Sequence, residues 1–348
     1  MRKALYLLTG AAGFLGSNIS RNLIAQGKSV RALVLPNDPA KAGIPSDVEV
    51  VTGDLLSNDS LEKFFNTPAD TDIIVIHCAS MVTLSPDYNQ KVYEVNVQGT
   101  KNIIDKCVEY CAKKLVYVSS TSVIPELPKG HMIKEVESYN PHVVIGFYAK
   151  SKAEATQLVV DAVKRGLDAS VVFPSGICGP NDYAYGYITN LIIDYIAGKI
   201  PAGIDGSFNT VDVRDLADGI IACAEKGRSG EGYIMSNSKV SMHDLYKSIS
   251  KASGSREVKL IIPVPIAKVI AAQSTVVSKL NRKPSLLTSF GIYNLVRNND
   301  FSSEKAKREL GYRVRSFDET IKDTVLWLKK EGKLPAKCPS RNPTSYGA

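Results

Sequence analysis

Between residues 4 and 25 the chain passes from a short apolar run, Ala4-Leu5-Tyr6-Leu7-Leu8, through Thr9-Gly10-Ala11-Ala12-Gly13-Phe14-Leu15-Gly16, into a pattern with Ile19, Leu23 and Ile24 on one helical face. Three glycines spaced by three, wedged between a strand and a helix, leave few folds open. Gly10 permits a tight turn, Gly13 a close backbone approach to a bound group, and Gly16 the packing of the helix against its strand. The N–H groups at the helix start, with the positive end of its dipole, form a seat for a pyrophosphate. In this strand–turn–helix context the stretch reads as a dinucleotide-binding fingerprint, spaced G-x-x-G-x-x-G rather than G-x-G-x-x-G.

The chain repeats that rhythm. Ser29–Leu35, Val48–Val51, Asp72–His77, Lys114–Val118 and Ala169–Phe173 are short, β-rich runs separated by helical patterns near 60–65, 88–112 and 147–165. In the longest of these, Val92, Val95, Ile103 and Val108 are the candidate buried residues. Strands alternating with helices predict βαβ units, and near-continuous apolar strands predict a parallel sheet covered on both faces. The fold expected is α/β, a doubly wound parallel sheet with a smaller, mostly helical C-terminal lobe. Ligands of such sheets lie beyond the strands' carboxyl ends, where Gly10, Asp54, His77 and Ser120 all fall.

A proline-bearing loop over 124–146 has no clear element and reads as a substrate-side flap. Past Pro174-Ser175-Gly176-Ile177-Cys178-Gly179-Pro180 the order loosens. A helix is expected near 188–197, a strand over Phe208–Val213, a helix over 214–225 and a strand over Gly232–Met235. The remainder reads as mostly helical through Trp327, with breaks at Pro263, Pro265 and Pro284. Residues 1–175 are therefore assigned to a dinucleotide-binding domain, to which 208–237 returns. Residues 176–207 and 238–330 form a substrate lobe, and 331–348 a tail.

The 348 residues are 44% hydrophobic and 22% charged, an ordinary globular balance. The first strand starts too early for a signal peptide, and no apolar run reaches the ~18 residues of a membrane span, so a cytoplasmic protein is expected. The net charge of +8 is spread along the chain rather than gathered into a nucleic-acid patch; it suits anionic cofactors and substrates. The six cysteines contain no C-x-x-C pair. Cys107 and Cys111, four apart, would share a helix face without a second ligand pair, so reduced thiols and no metal site are expected.

Tyr148 and Lys152 are four apart at the start of a helical pattern and lie on one face. A phenol of ordinary pKa ~10 is a poor proton donor at neutral pH, and an ammonium beside it would favour the phenolate and bring it into useful range. Ser120, at a neighbouring strand end, is placed to hold a carbonyl oxygen. Alone, Y-x-x-x-K is also a common surface pair. Asn96 has two readings, a hydrogen-bonding group near the site or a helix-core asparagine. His77 reads as a structural strand-end residue, and Asp212, Arg214 and Asp215 as a polar cluster at a helix start.

The chain resembles the extended short-chain dehydrogenase/reductase family, through T-G-A-A-G-F-L-G (Thr9–Gly16), G-D-L (Gly53–Leu55), H-C-A-S (His77–Ser80), N-V-Q-G-T (Asn96–Thr100), V-S-S (Val118–Ser120), Y-A-K-S-K (Tyr148–Lys152), P-S-G-I-C-G-P (Pro174–Pro180) and V-D-V-R-D-L-A (Val211–Ala217). The resemblance implies Ser120, Tyr148 and Lys152 as catalytic residues. It implies a cofactor site of Gly10, Gly13, Phe14, Leu15, Gly16, Asp54 and Leu55 (by the adenine), Ala79, Ser80, Tyr148, Lys152 and Pro174. Within the family the dihydroflavonol-reductase and 3β-hydroxysteroid-dehydrogenase branch is the most similar, through F-N-T-V-D-V-R-D-L-A, G-E-G-Y-I-M-S-N and F-S-S-E-K-A-K-R-E-L-G-Y. Sugar-nucleotide epimerases usually carry Arg-Asp-Phe where Ser207-Phe208-Asn209 stands, and tyrosine where Cys178 stands. Helix-paired homodimers are common in the family.

The implied activity is NAD(P)(H)-dependent interconversion of a carbonyl and an alcohol. Tyr187, Ile188, Leu191, Ile261 and Ile262 read either as core residues or as the lining for a lipophilic substrate such as a steroid or flavonoid. The alternatives are a nucleotide-sugar epimerase or dehydratase holding NAD, and a dinucleotide-sensing regulator. The second strand ends in Val34-Leu35, with neither the carboxylate that binds an NAD ribose nor an arginine for the phosphate of NADP; the missing carboxylate tips the reading towards NADP, and Arg31 and Lys41 read equally as phosphate partners or as solvated side chains.

Overall fold

The computed structural model describes residues 3–271 and 289–334. Strands β1 (Lys3–Thr9), β2 (Ser29–Val34), β3 (Glu49–Thr52), β4 (Thr71–His77), β5 (Lys114–Val118), β6 (Ala169–Pro174) and β10 (Gly232–Met235) form a seven-stranded sheet in the order β10-β6-β5-β4-β1-β2-β3. Every neighbouring pair is parallel. The order reverses at β1, so the crevice between the carboxyl ends of β1 and β4 is the switch point where such sheets bind ligands.

Alternate residues of each strand feed two cores. Tyr6, Leu8, Ile76 and Val116 pack with Ile19 and Leu23 of α1 (Phe14–Ala25) and Leu216 and Ile220 of α7 (Val213–Lys226). Leu7, Val75, Leu115 and Tyr117 pack with Leu61 and Phe64 of α2 (Asn58–Phe65), Ile103 of α4 (Gly99–Glu109) and Ala153 and Val159 of α5 (Phe147–Lys164). Burial on both faces is why these strands read as unbroken apolar runs.

The lobe holds a three-stranded sheet of β7 (Gly176–Cys178), β9 (Ser207–Asp212) and β11 (Ser238–Ser241), and a pair of β8 (Gly203–Ile204) with β12 (Ile261–Ile262). Around them lie α6 (Tyr187–Ile196), α8 (Met242–Ser253), α9 (helical residues 264–271), α10 (Ser289–Val296) and α12 (Phe317–Lys330), while α11 (Glu304–Leu310) packs on the α1 and α7 face. Of residues 208–237, α7 and β10 pack with the large sheet, whereas β9 lies in the small one. Asp212 caps α7, pairs with Arg214, and with Asp215 and Arg315 ties the helix start to the C-terminal segment.

Three sequence expectations change. The helix over 88–112 is α3 (Gln90–Tyr93), a π-turn over Glu94–Gln98, and α4. The extra residue of a π-turn rotates everything downstream; Gly99, Thr100, Ile103, Ile104 and Cys107 face inward, and Val108 is exposed. Cys107 and Cys111 do not share a face, because α4 ends at Glu109 and Cys111, exposed, takes a left-handed φ of 48°. Pro265 lies in the first turn of α9, where a missing N–H costs nothing, so it opens a helix rather than breaking one. Pro284, Cys338 and most of the expected tail lie outside the described residues.

Candidate active site

The glycine turn is fixed by contacts that no side chain could share. Gly10 has φ 73°, and a Cβ there would sit 2.7 Å from the Ala79 nitrogen. A Cβ on Gly16 would overlap the Gly10 carbonyl and stand 2.7 Å from its carbon. Gly13 donates its N–H to the Gly10 carbonyl at 3.0 Å and caps α1 without a side chain; no acidic residue occupies the first turn. Phe14 and Leu15 begin that turn. The bare helix start and the cradle a Cβ would fill fit a diphosphate.

At the β4 end the side chains form one continuous network. Thr100 donates its hydroxyl proton to the Asn96 carbonyl at 2.7 Å, so its oxygen accepts from His77 Nε2 at 3.0 Å. Nδ1 of His77 then accepts from Thr9 Oγ1 at 2.7 Å, and that oxygen accepts from the Ala79 N–H at 3.3 Å. Burial and then the Lys152 charge push His77 down to about 3, so the ring is neutral and structural. Asn96, in the π-turn and buried, accepts from Ser80 Oγ at 3.0 Å and the Met81 N–H at 2.8 Å, and donates to the Met81 carbonyl and Ser151 Oγ. Ser151 donates to the Tyr148 carbonyl at 2.8 Å. The π-turn thus aims one asparagine at both the β4 loop and the start of α5.

Tyr148 and Lys152 share a face of α5, with Tyr148 half-buried and Lys152 buried. The Lys152 ammonium donates to the Val118 carbonyl at 2.7 Å and lies 4.3 Å from the centre of the Tyr117 ring. Burial lowers its pKa to about 7. Ser120 caps a short 3-10 turn, accepting from the Ser122 N–H at 3.2 Å. The expected lowering of the Tyr148 phenol by Lys152 is not found. Burial raises the phenol, the groups acting against burial are the hydroxyls of Ser120 and Ser80, and the ammonium is drawn to Val118 and Tyr117 instead.

Asp54 accepts from the Leu56 N–H at 2.9 Å, and buried Leu55 accepts at its carbonyl from Asn102. Pro174 ends β6, buried, and Ala79 and Ser80 follow β4 half-buried. Arg31 is not placed for a phosphate. Its guanidinium donates to the Phe64 and Asn66 carbonyls and pairs with Glu49, because its side chain runs towards the end of α2. Lys41 is exposed in the 3-10 turn Pro39–Gly43, which Asp38 caps. Of the apolar residues expected to meet substrate, Ile188, Leu191 and Ile261 pack on the lobe core and Ile262 on a neighbouring cluster; Tyr187 alone is largely exposed. The exposed apolar side chains near the site are Val82, Leu84 and Tyr88 after β4, and Val143 and Ile145 before α5. Ser80, Asn96 and Ser151 were each legible as residues, but nothing in the pattern announced the π-turn that joins them.

Residues 6–236 match the model of the NAD dependent epimerase/dehydratase family. The chain belongs to that family. It is 28% identical over 334 residues to a putative dihydroflavonol 4-reductase of Synechocystis sp., covering 94% of this chain and 95% of the relative. It is 25% identical over 332 residues to a 3β-hydroxysteroid dehydrogenase/Δ5→4-isomerase of Mycobacterium tuberculosis, covering 88% and 85%. The crystal structure of gox2253 superposes with a TM-score of 0.82 at 28% identity, covering 95% of this chain and 99% of that one. Members of this NAD-dependent family are enzymes, and its relatives include dihydroflavonol-reductase-like proteins and 3β-hydroxysteroid dehydrogenases. Among the described residues no helix is long and apolar enough to cross a membrane.

Proposed function

We propose that the protein interconverts a ketone or aldehyde and the corresponding alcohol on a lipophilic small molecule. A nicotinamide dinucleotide held at the glycine turn supplies the hydride donor or acceptor. Tyr148 gives its proton to the developing alkoxide, and the hydroxyls of Ser120 and Ser80 favour the phenolate left behind. Ser120 also orients the carbonyl oxygen. Lys152, buried and fixed to the Val118 carbonyl beneath the site, would bind the nicotinamide ribose. Burial keeps the phenol protonated at neutral pH and weakens it as an acid, and the hydroxyls of Ser120 and Ser80 offset part of that.

The observation carrying this reading is the grouping of Tyr148 with Ser120 and Ser80 at the carboxyl end of the sheet. The exposed aliphatic side chains of Val82 and Leu84 after β4, and of Val143 and Ile145 before α5, support a lipophilic substrate. For the cofactor we favour NADP: the Asp38 carboxylate is turned into its own cap, leaving Lys41 as a cation near the β2 end. A panel of lipophilic ketones and alcohols, followed by nicotinamide absorbance with each of NADH, NADPH, NAD and NADP, tests the proposal. Turnover that needs added NADPH supports it. Activity on a nucleotide sugar without added cofactor would overturn it in favour of an epimerase.

A further inference from the structure

From the packing at the start of α5 we infer that Phe290 is a positioning residue for Tyr148, acting through the backbone of Gly146. The inference rests on the reading of Tyr148 as the proton donor. Gly146 is the N-cap of α5, two residues before Tyr148, with φ 94° and no side-chain cap. The Phe290 ring from α10 lies directly on it: a Cβ at Gly146 would overlap Cζ and stand 2.7 Å from Cε2. The first turn of α5 is therefore located by an aromatic ring from the lobe rather than by a capping hydrogen bond.

That ring is itself braced. Phe290 stacks on Tyr293, with centroids 6.1 Å apart, and Tyr293 donates to Glu126 at 2.7 Å. The other Glu126 oxygen accepts from the Asn298 N–H at 3.0 Å. Buried Asn298 donates to the carbonyls of Leu127, Pro128 and His131, and Ile133 bridges to Phe301 through the Asp300 carbonyl and the Ser302 N–H. The loop read from sequence as a flap is thus strapped to the C-terminal segment from Glu126 to Ile133. Loop, α10 and the Tyr148 turn form one packed unit, and the lobe that flanks the substrate also fixes the direction of the phenol.

The test compares wild type, Phe290→Ala and Phe290→Leu. Loss of the ring lets the first turn shift, and a misplacement near 1 Å can cost up to about 100-fold in rate. Phe290→Ala is expected to lower kcat by roughly 10-fold or more with carbonyl KM and dinucleotide Kd nearly unchanged, and Phe290→Leu to restore most of it. Unchanged kcat, or a loss carried wholly in KM, would overturn the inference. Tyrosine ring-carbon NMR reads the same point without turnover: the Tyr148 phenol, raised in wild type, should titrate nearer its ordinary value in Phe290→Ala, and identical titration curves would overturn it. A wild type inert towards carbonyls would instead refute the reductase reading, and the titration would still decide the positioning.

Discussion

Replacing Gly16 by alanine offers a worked prediction. The added Cβ would overlap the Gly10 carbonyl oxygen and stand 2.7 Å from its carbon and 2.8 Å from Ala11 Cα. Contacts between carbon atoms are optimal at roughly 3.5 Å, so α1 and the turn must separate by about 0.8 Å or more. Such overpacking costs about 1–3 kcal/mol of stability. The larger effect falls on binding. A shift of that size breaks hydrogen bonds from the helix start to a diphosphate, each worth about 1.5–3 kcal/mol to a charged acceptor. Losing two removes roughly 3–6 kcal/mol, a weakening of about 100- to 20,000-fold. Calorimetric titration with NADPH, alongside thermal unfolding, measures both. Gly27→Ala is the control: its left-handed φ of 71° brings strain of about 1 kcal/mol, but nothing lies within 4 Å of the added Cβ, so stability falls without a binding effect. A Gly16→Ala protein that binds within about threefold of wild type would refute the cradle.

Other outcomes follow from the same geometry. His77 refuses a proton until about pH 3 in the folded state, whereas unfolded it titrates near its ordinary 6.5; the unfolded chain therefore binds more protons between those values, and this contribution to stability, full above 6.5, is lost as pH falls towards 3. His77→Asn should flatten the slope of Tm against pH in that window, and an unchanged slope would count against the neutral, buried ring. Arg31→Ala should lower Tm by removing its bonds to Phe64, Asn66 and Glu49 while leaving the NADPH-to-NADH affinity ratio unaltered; Lys41→Ala should reduce that ratio several-fold. A ratio that moves with Arg31 and not with Lys41 would reverse the assignment of the phosphate edge.

Much of the large sheet was legible because its signals are local. Each parallel strand is buried on both faces and so reads as a continuous apolar run, and each small residue at a strand end marks the ligand side of the sheet. Gly10 and Gly16 declare themselves because their neighbours exclude a Cβ. What escaped the sequence depends on direction and distance. The π-turn over Glu94–Gln98 has no side-chain signature, so the stripe continued to Val108, which the structure exposes. Arg31 sits on the right strand but its side chain runs to α2. Ile188, Leu191 and Ile261 are apolar for the lobe's own core, a purpose that composition cannot separate from substrate binding. Phe290 gave no sign at all, since its partner is a glycine far away in the chain.

Isotope labelling separates the source of the hydride from the source of the proton. With a reduced nicotinamide cofactor deuterated at the transferring position, wild-type protein should place deuterium on the carbinol carbon of the product. Tyr148→Phe should bind the cofactor equally well yet form labelled alcohol slower by at least about 100-fold, the usual contribution of a positioned acid. Unlabelled product, or equal rates from the two proteins, would contradict the proposed reduction.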